Sequence, residues 1–437
     1  MPNELEIGAQ RQGRLVDFDK STPEVTVTLQ RSEEGIRVSI PWSDYSSPYA
    51  RWFVNPRTWS EDSGPALPTP KRLLFEDSHG SLQLVGCWSR GYHTTIFGPG
   101  SGTVWARYAL LDVKQDVDFL TANGLRSEVT GLRSWLGIRS VGGETEYQSV
   151  APYQILRTTA QSASPVEVLD GARLNLIPYW TEAKTEDSVT ITDRVLCETR
   201  AVDAEDWASL EKTHLALRDL LVLSQWRREV ARVVSVLRTD DAFHHRADDT
   251  THDQWRAVVT GQSVEDPEPV SFRRHLISFK EIGLEGLRKW LSLRDEFARA
   301  LDPIISTCNL RNVSPMTMLA QTGPGIEALG YLLMLRDGAT KREAADASLE
   351  ARLRRVLKDI WRVIPFDGDN WVAGTVRVYN GLKHANRAAP EMIDLLNRWQ
   401  ETVLAVRAWV AIELGTPGQE LTERLKNDDQ AAPWEAR

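Results

Sequence analysis

A short polar segment near the end of the chain carries the side chains best suited to chemistry on a phosphate group. It reads VRVYNGLKHANRAAPE over residues 376–391. Imidazole transfers protons near neutral pH, and guanidinium is the natural clamp for a phosphate. If His384 removes or supplies a proton and Arg377 stabilises the crowded oxygens, a 2'-hydroxyl can attack its own 3'-phosphate without a metal ion. The segment therefore indicates phosphodiester chemistry on RNA, with no cofactor.

The other polar residues of this segment suit the binding of a strand. Asn380 lies one helical turn before His384, where it can fix the ring or bond a phosphate. Lys383 is expected to orient the strand, and Arg387 and Tyr379 are further candidates for contact with RNA. A solvated helix face or a cap is the alternative at this point, because a polar cluster on a helix commonly has that origin.

A second group of histidines and carboxylates lies within residues 239–270. His244, His245 and His252 stand among five aspartates. Such side chains bind zinc or manganese, but their spacing matches no helical His-x-x-x-His pattern, so we expect a solvated acidic loop and no metal site. The three cysteines are far apart and odd in number, which argues against a disulfide framework and against a cysteine-based zinc site.

The elements that precede residue 200 are expected to be short strands. Alternating segments such as EVTVTLQ from Glu24 and SVTITDRVLCET from Ser188 are separated by clusters of Gly, Pro, Asn, Asp and Ser. This spacing predicts a sandwich-like or barrel-like β region. Five of its tryptophans are predicted to be core residues, with a platform for a base or sugar as the alternative. They are Trp42, Trp52, Trp59, Trp88 and Trp105.

The hydrophobic period changes after residue 203. The segment DWASLEKTHLALRDLLVLS from Asp206 repeats apolar residues at three and four, which predicts a helix near 204–224. A strand is expected in REVARVVSVLR from Arg228, followed by a long loop over residues 239–270. Helices are then predicted at 283–301, 315–335, 346–363, 371–384 and 390–414. Their order is typical of an up-and-down bundle.

These elements predict an α+β multidomain protein. A β-rich, sandwich-like region is expected over residues 1–270, an all-α helical bundle over residues 271–415, and a polar, frayed tail over residues 416–437. The formal charge of -9 divides unevenly between them. Residues 270–415 hold 21 basic and 17 acidic side chains, whereas the remainder holds 31 and 44. Only the helical part therefore has the net positive charge that attracts a polyanion.

Several motifs resemble known families. Arg377 and His384, separated by six residues, resemble the Arg-x4-6-His signature of HEPN domains, which are helical bundles that in many members are metal-independent ribonucleases. The whole layout resembles the ApeA family of bacterial anti-phage systems, which join a β-rich N-terminal region to a C-terminal HEPN domain. The motifs that carry this resemblance are TGLRSWLGI from Thr130, LRDLLVLS from Leu217, LISFKEIGLEGLRKWL from Leu276 and YNGLKH from Tyr379.

The chain departs from the commonest HEPN pattern at one position. That pattern runs Arg-Asn-x-x-x-His, and alignment on Asn380 and His384 puts Tyr379 where arginine is expected. Arg377 lies about 200° around an ideal helix from Tyr379, so it faces elsewhere unless the helix ends or distorts there. Gly381 permits such a distortion. Two readings stay open: an active site with a displaced arginine, or a degenerate HEPN domain that binds RNA or dimerises without cutting.

The resemblance implies an endoribonuclease of abortive anti-phage defence whose N-terminal region senses or regulates. The implied catalytic residues are Arg377, His384 and Asn380, and the implied partners are RNA, with tRNA as one candidate, a second copy of the chain and a phage-encoded trigger. The sequence has no apolar run of membrane-spanning length and no signal-peptide core, so a cytoplasmic location without membrane contact is expected. A β-sandwich that binds carbohydrate or peptide, with the helices as an oligomerisation scaffold, is the remaining alternative.

Overall fold

A computed structural model gives the arrangement of most of the chain. The structure describes residues 3–18, 22–44, 47–54, 67–95, 99–147, 154–171, 173–245, 249–261, 267 and 274–435. A large antiparallel sheet region comes first and an all-helical region follows, which confirms the predicted fold class. Every described helix is too short or too polar to cross a lipid bilayer.

The described residues form eighteen strands. They are β1 Gln10–Val16, β2 Val25–Ser32, β3 Gly35–Trp42, β4 Arg72–Asp77, β5 Gly80–Val85, β6 Trp88–Thr94, β7 Gly100–Ala106, β8 Tyr108–Leu111, β9 Thr121–Val129, β10 Val141–Tyr147, β11 Gln154–Ala160, β12 Val166–Leu169, β13 Leu174–Lys184, β14 Val189–Asp206, β15 Ala231–Leu237, β16 Phe243–His245, β17 Thr250–His252 and β18 Trp255–Thr260.

Fourteen of these strands hydrogen-bond in one continuous order. The order is β12, β13, β14, β9, β15, β18, β8, β5, β4, β1, β2, β3, β7 and β6, while β10–β11 and β16–β17 form separate two-stranded hairpins. Tight turns set the register: Ser32 pairs with Gly35, and Asp77 pairs with Gly80. Both glycines have a positive φ, which a residue with a side chain rarely adopts.

The expected long loop over residues 239–270 is wrong in part. Strand β18 lies inside it and pairs with β15 on one side and β8 on the other, so it joins the two halves of the sheet. The predicted histidine loop instead contains the β16–β17 hairpin, whose described residues are exposed. Short strands flanked by His, Asp and Pro give too few alternating positions for the pattern to emerge.

Ten helices occur in the described residues. They are α1 Leu132–Leu136, α2 Trp207–Gln225, α3 Phe279–Glu296, α4 Ala298–Thr307, α5 Pro315–Arg336, α6 Lys341–Asp346, α7 Leu349–Ile360, α8 Gly368–Lys383, α9 Met392–Glu413 and α10 Gly418–Lys426.

Local chemistry explains where several helices begin. Asp206 caps α2 by accepting a hydrogen bond from the Ser209 amide, as the acidic start of that segment predicts. Ser348 caps α7 in the same way, so α7 begins at Leu349, within the predicted helix 346–363. The predicted helix 283–301 is divided, because the chain leaves helical geometry at Phe297.

The end of the chain is packed, so the expected frayed tail is wrong for the described residues. Leu421 and Leu425 of α10 are fully buried. Arg424 of the same helix forms an ion pair with Glu281 of α3. Only two apolar residues, four positions apart, anchor this short helix, and a pattern of that length is too weak to predict from sequence.

One hydrophobic core crosses from the sheet region into the helices. It combines residues of β9, α1, β12–β14 and α2 with residues of α3, α4, α5, α7, α8, α9 and α10. The sequence GLRxWL occurs at residues 131–136 and 286–291, and each copy contributes a tryptophan. Trp135 donates its indole N–H to the carbonyl oxygen of Ile277 at 2.8 Å, and Trp290 donates to that of Ala216 at 2.7 Å. Both copies thus serve packing.

Candidate functional site

The polar segment singled out from the sequence forms the last two turns of α8 and the loop that follows. Asp367 caps the start of α8 by accepting a hydrogen bond from the Asn370 amide at 2.7 Å. Trp371 and Val378 are buried and fix one side of the helix in the core. The helix is regular as far as Lys383, so its polar residues are presented at fixed angles around the axis.

One side of α8 is tied to α5. The ring of Tyr379 is 3% exposed and packs where Gly323 leaves room, since a Cβ at Gly323 would clash with that ring. Burial, together with the charge of Glu327, raises the pKa of Tyr379 to about 12. The contact with RNA that the sequence predicts for Tyr379 does not fit this placement, because its buried ring cannot stack on a base.

Lys383 lies on the same side as Tyr379. Its ammonium group is 4.5 Å from the centre of the Tyr379 ring and 3.6 Å from the carboxylate of Glu327. Glu327 also accepts a hydrogen bond from Arg352 of α7 at 2.6 Å. The side chain of Lys383 remains 43% exposed, so it can still approach a phosphate at the rim of the site.

The other side of α8 faces solvent and carries Arg377. Its side chain is 72% exposed and donates a hydrogen bond to Asp394, in the first turn of α9, at 3.0 Å. Seven residues complete nearly two turns of an ideal helix, so the Cα atoms of Arg377 and His384 lie about 20° apart around the axis of α8. Asn380 lies about 60° from Arg377 by the same geometry and is partly exposed.

His384 ends α8 in an exposed position. Its backbone leaves helical geometry, with φ -122° and ψ 108°, while its amide still donates to the carbonyl oxygen of Asn380 at 3.1 Å. Among the described residues, no side chain forms a hydrogen bond or an ion pair with its ring. The imidazole is therefore accessible to a ligand.

The loop after His384 folds back on the helix at Gly381. A Cβ at Gly381 would lie 2.9 Å from the carbonyl oxygen of Ala388 and 3.1 Å from Pro390. The absence of a side chain at Gly381 therefore allows a close return of the chain, and no distortion of α8 occurs there. Arg387 lies on this loop, exposed, with its amide bonded to the carbonyl oxygen of His384 at 3.0 Å.

The arrangement divides the predicted site residues into two sets. Arg377, Asn380 and His384 share the solvent side of α8, whereas Tyr379 and Lys383 share the side that packs on α5. Sequence reasoning missed the acidic neighbours Glu327 and Asp394, which come from other helices and have no local pattern to reveal them.

The histidine-rich hairpin shows separate pairings. His244 lies 3.2 Å from Asp249, and the ring of His252 bonds the Thr250 hydroxyl at 2.7 Å. Asp241 is fully buried and is held by Arg256 of β18. Within the described parts of the chain, no three His, Cys, Asp or Glu side chains come together closely enough to hold a metal ion.

Comparison with known proteins defines the class of this chain. A family model described as ApeA N-terminal domain 1 matches residues 14–290, which is more than half of the sequence. The chain therefore belongs to the ApeA family of anti-phage defence proteins, and the resemblance seen in its motifs is confirmed over that range. The match includes α1, α2 and the first two-thirds of α3. No curated protein and no solved structure matches the chain.

Proposed function

We propose that this ApeA-family protein is a metal-independent endoribonuclease of the HEPN type that acts in abortive anti-phage defence. The observation that carries the proposal is the exposure of Arg377 and His384 on the solvent side of α8 and at its C-terminal end. An imidazole that moves a proton and a guanidinium that stabilises the phosphate are two groups suited to the transphosphorylation of RNA.

The ion pair between Arg377 and Asp394 does not prevent this role. Both side chains are solvent-exposed to a large extent, 72% and 33%, and a pair of that kind contributes about 0–1 kcal/mol. A phosphate can replace the carboxylate because the guanidinium bonds either anion in the same forked geometry. Asp394 therefore holds Arg377 near its working position while the site is empty.

Each polar residue then has a definite task. His384 takes the proton of the 2'-hydroxyl or supplies one to the leaving 5'-oxygen, and Arg377 stabilises the pentacoordinate phosphate. Asn380, one turn before His384, orients the ring or bonds a phosphate oxygen, while Lys383 and Arg387 hold neighbouring phosphates. The new bond joins the 2'-oxygen to phosphorus as the bond to the 5'-oxygen breaks, which leaves a 2',3'-cyclic phosphate.

A homodimer is the form in which this site works best. Within one chain, Arg377 and His384 are about 10 Å apart along the helix axis, which is a long span for two groups that act on one phosphate. Two copies of α8 that face each other would bring the Arg377 of each close to the His384 of the other. We therefore propose a composite site across a dimer, RNA as substrate with tRNA as one candidate, and a phage-encoded trigger sensed by the β-rich region.

The test is RNA cleavage by purified protein in EDTA. We expect cleaved RNA with 2',3'-cyclic or 3'-phosphate ends, and a loss of rate of about 100-fold or more in His384→Ala. The matched control is His252→Ala, which removes another exposed histidine, in the β16–β17 hairpin, and should cleave normally.

One outcome would favour the non-catalytic alternative. The tyrosine at position 379, buried in a regular helix, is the specific observation that supports a degenerate domain. RNA that is retained but not cleaved, with no difference between the unaltered protein and His384→Ala, would establish a binding module and exclude the ribonuclease.

A further inference from the structure

A cavity of about 550 Å³ lies in the sheet region, remote in sequence from the polar segment of α8. It is lined by β6 and β7, by the turn at Gly35, by β15 and by one side of α2. Pockets that hold small molecules commonly have volumes of about 300–1,000 Å³. The cavity is therefore large enough for a ligand of several rings or groups.

Two indoles form one wall of this cavity. Trp88 and Trp105 are direct partners in the register of β6 and β7, so their side chains lie on the same face of the sheet. Trp105 is 9% exposed, as a core residue would be, whereas Trp88 at the sheet edge is 40% exposed. An exposed indole beside a buried one offers a flat surface on which a planar ring can stack.

The same wall carries an arginine placed by a β-bulge. Ser89 pairs with Val104 and Tyr92 with Gly102, so β6 has one more residue than β7 between those pairs. A bulge of this kind redirects a side chain. Arg90 occupies it, with its guanidinium 5.7 Å from the centre of the Trp105 ring, and no carboxylate in the described residues pairs with it.

The charge of the cavity lining favours an anion. Four guanidiniums line it against two carboxylates, those of Glu34 and Glu211. Arg107 reaches Glu211 only at 3.4 Å, and its side chain is 59% exposed. Arg218 is held by Asp219, 2.6 Å away, so it contributes charge without leaving its place. Arg90 and Arg107 are thus the two cations best able to turn toward a ligand.

We propose that this cavity binds a ribonucleotide, with the base stacked on Trp88 and the phosphates held by Arg90 and Arg107. A planar ring and a compact multiple anion in one molecule match the two features of the wall. Neither an apolar ligand nor a simple anion would use both. The site is built from residues of the family-matched region and does not depend on the chemistry of His384.

Binding is measured by calorimetry at low salt with full-length His384→Ala protein, which keeps the result independent of any RNA cleavage. The probes are the four ribonucleoside triphosphates and inorganic triphosphate. We expect at least one nucleotide to bind about tenfold more tightly than inorganic triphosphate, because base stacking adds to the phosphate contacts. Trp88→Ala should remove that advantage, and Arg90→Ala should weaken both probes.

Tyr92→Ala is the matched control, since it removes another exposed aromatic residue from the same strand, 53% exposed and outside the cavity. Its nucleotide affinity should be unchanged. The proposal is overturned if no nucleotide binds more tightly than inorganic triphosphate, or if Trp88→Ala and Arg90→Ala bind as the parent does. A single-stranded RNA 12-mer that binds through Trp88 when no nucleotide does would replace the proposed ligand.

Discussion

Two histidines, His214 of α2 and His384 at the end of α8, lie in opposite surroundings. His214 of α2 is fully buried, with Nδ1 2.8 Å from the Ser127 hydroxyl of β9, and burial lowers its pKa to about 3. His384 at the end of α8 is exposed. An imidazole held neutral inside the core fastens a helix to a sheet, whereas one at a helix end in water is free to exchange protons. Solvent access, more than position on a helix, separates the two roles.

The largest expected effect on stability comes from His214. Replacement by Ala leaves a cavity under α2 and removes the partner of the Ser127 hydroxyl, so we expect His214→Ala to lower the free energy of unfolding by about 2–4 kcal/mol. His384→Ala removes an exposed side chain and should change it by less than about 0.5 kcal/mol. Urea denaturation measures both. Equal losses in the two variants would contradict the comparison.

The pH dependence of stability tests the buried state of His214. Its pKa is lower in the folded protein than the usual value of 6.5, so only the unfolded chain takes up a proton as the pH falls below 6.5. This costs stability at about 1.4 kcal/mol per pH unit. His214→Gln, which does not titrate, should lose less stability than the parent between pH 6.5 and 5. A pH profile identical to that of the parent would show that His214 is protonated in the fold.

The carboxyl group of Glu401 in α9 changes the stability with pH in the opposite direction. Burial raises its pKa to about 7 although Arg398, 2.8 Å away, acts in the other direction. The folded protein then binds a proton that the unfolded chain lacks between about pH 4.5 and 7, so this group adds stability as the pH falls. Glu401→Gln should be more stable than the parent by about 1–3 kcal/mol at pH 8 and should lose that advantage by pH 5.

Between pH 5 and 6.5, His214 and Glu401 therefore change the stability of the parent protein in opposite directions, and Glu211, whose pKa burial also raises, acts in the same direction as Glu401. The carboxylates whose pKa is lowered, such as Asp77, Asp337 and Glu413, titrate below that window and do not disturb it. His214→Gln should show the pH dependence of stability that Glu401 causes, and Glu401→Gln should show the one that His214 causes. Thermal unfolding at three pH values is sufficient, and parallel profiles in both variants would refute the assignment.

The smallest effect concerns the exposed side of α8. Asp394→Asn removes the carboxylate that pairs with Arg377, so the affinity for RNA, measured in a His384→Ala background, should rise about two- to threefold at low salt. Asp369→Asn is the matched control, because Asp369 is also an acid in a first helical turn paired with an arginine, Arg354. A rise in the control but not in Asp394→Asn would place the RNA elsewhere.

Much of the fold follows from local pattern. The apolar spacing from Trp207 to Leu221 predicts α2, and alternation predicts β2, β14 and β15; all are present. Strand β18 and helix α10 escape prediction because each is short, and their stability comes from partners distant in sequence. Periodicity records which residues are buried, and it says little about elements that others hold in place.

The candidate site divides in the same way. Its polar residue types and their spacing are visible in residues 376–391, and so is the departure at Tyr379. The burial of that tyrosine against Gly323 and the pairing of Arg377 with Asp394 depend on how α5 and α9 pack, which no single segment encodes. Gly381 illustrates the limit: its presence suggests a distorted helix, yet it serves the return of the loop.

The core that crosses from the sheet region into the helices restricts which segments of the chain can be exchanged by recombination. Arg407 of α9, 1% exposed, bonds the carbonyl oxygen of Leu223 at 2.7 Å and pairs with Asp428 beyond α10. A chain that acquired a different C-terminal half would leave the carbonyl oxygen of Leu223 without this hydrogen bond and would expose α2. We therefore expect recombination between homologues to be tolerated within the sheet more readily than at the junction.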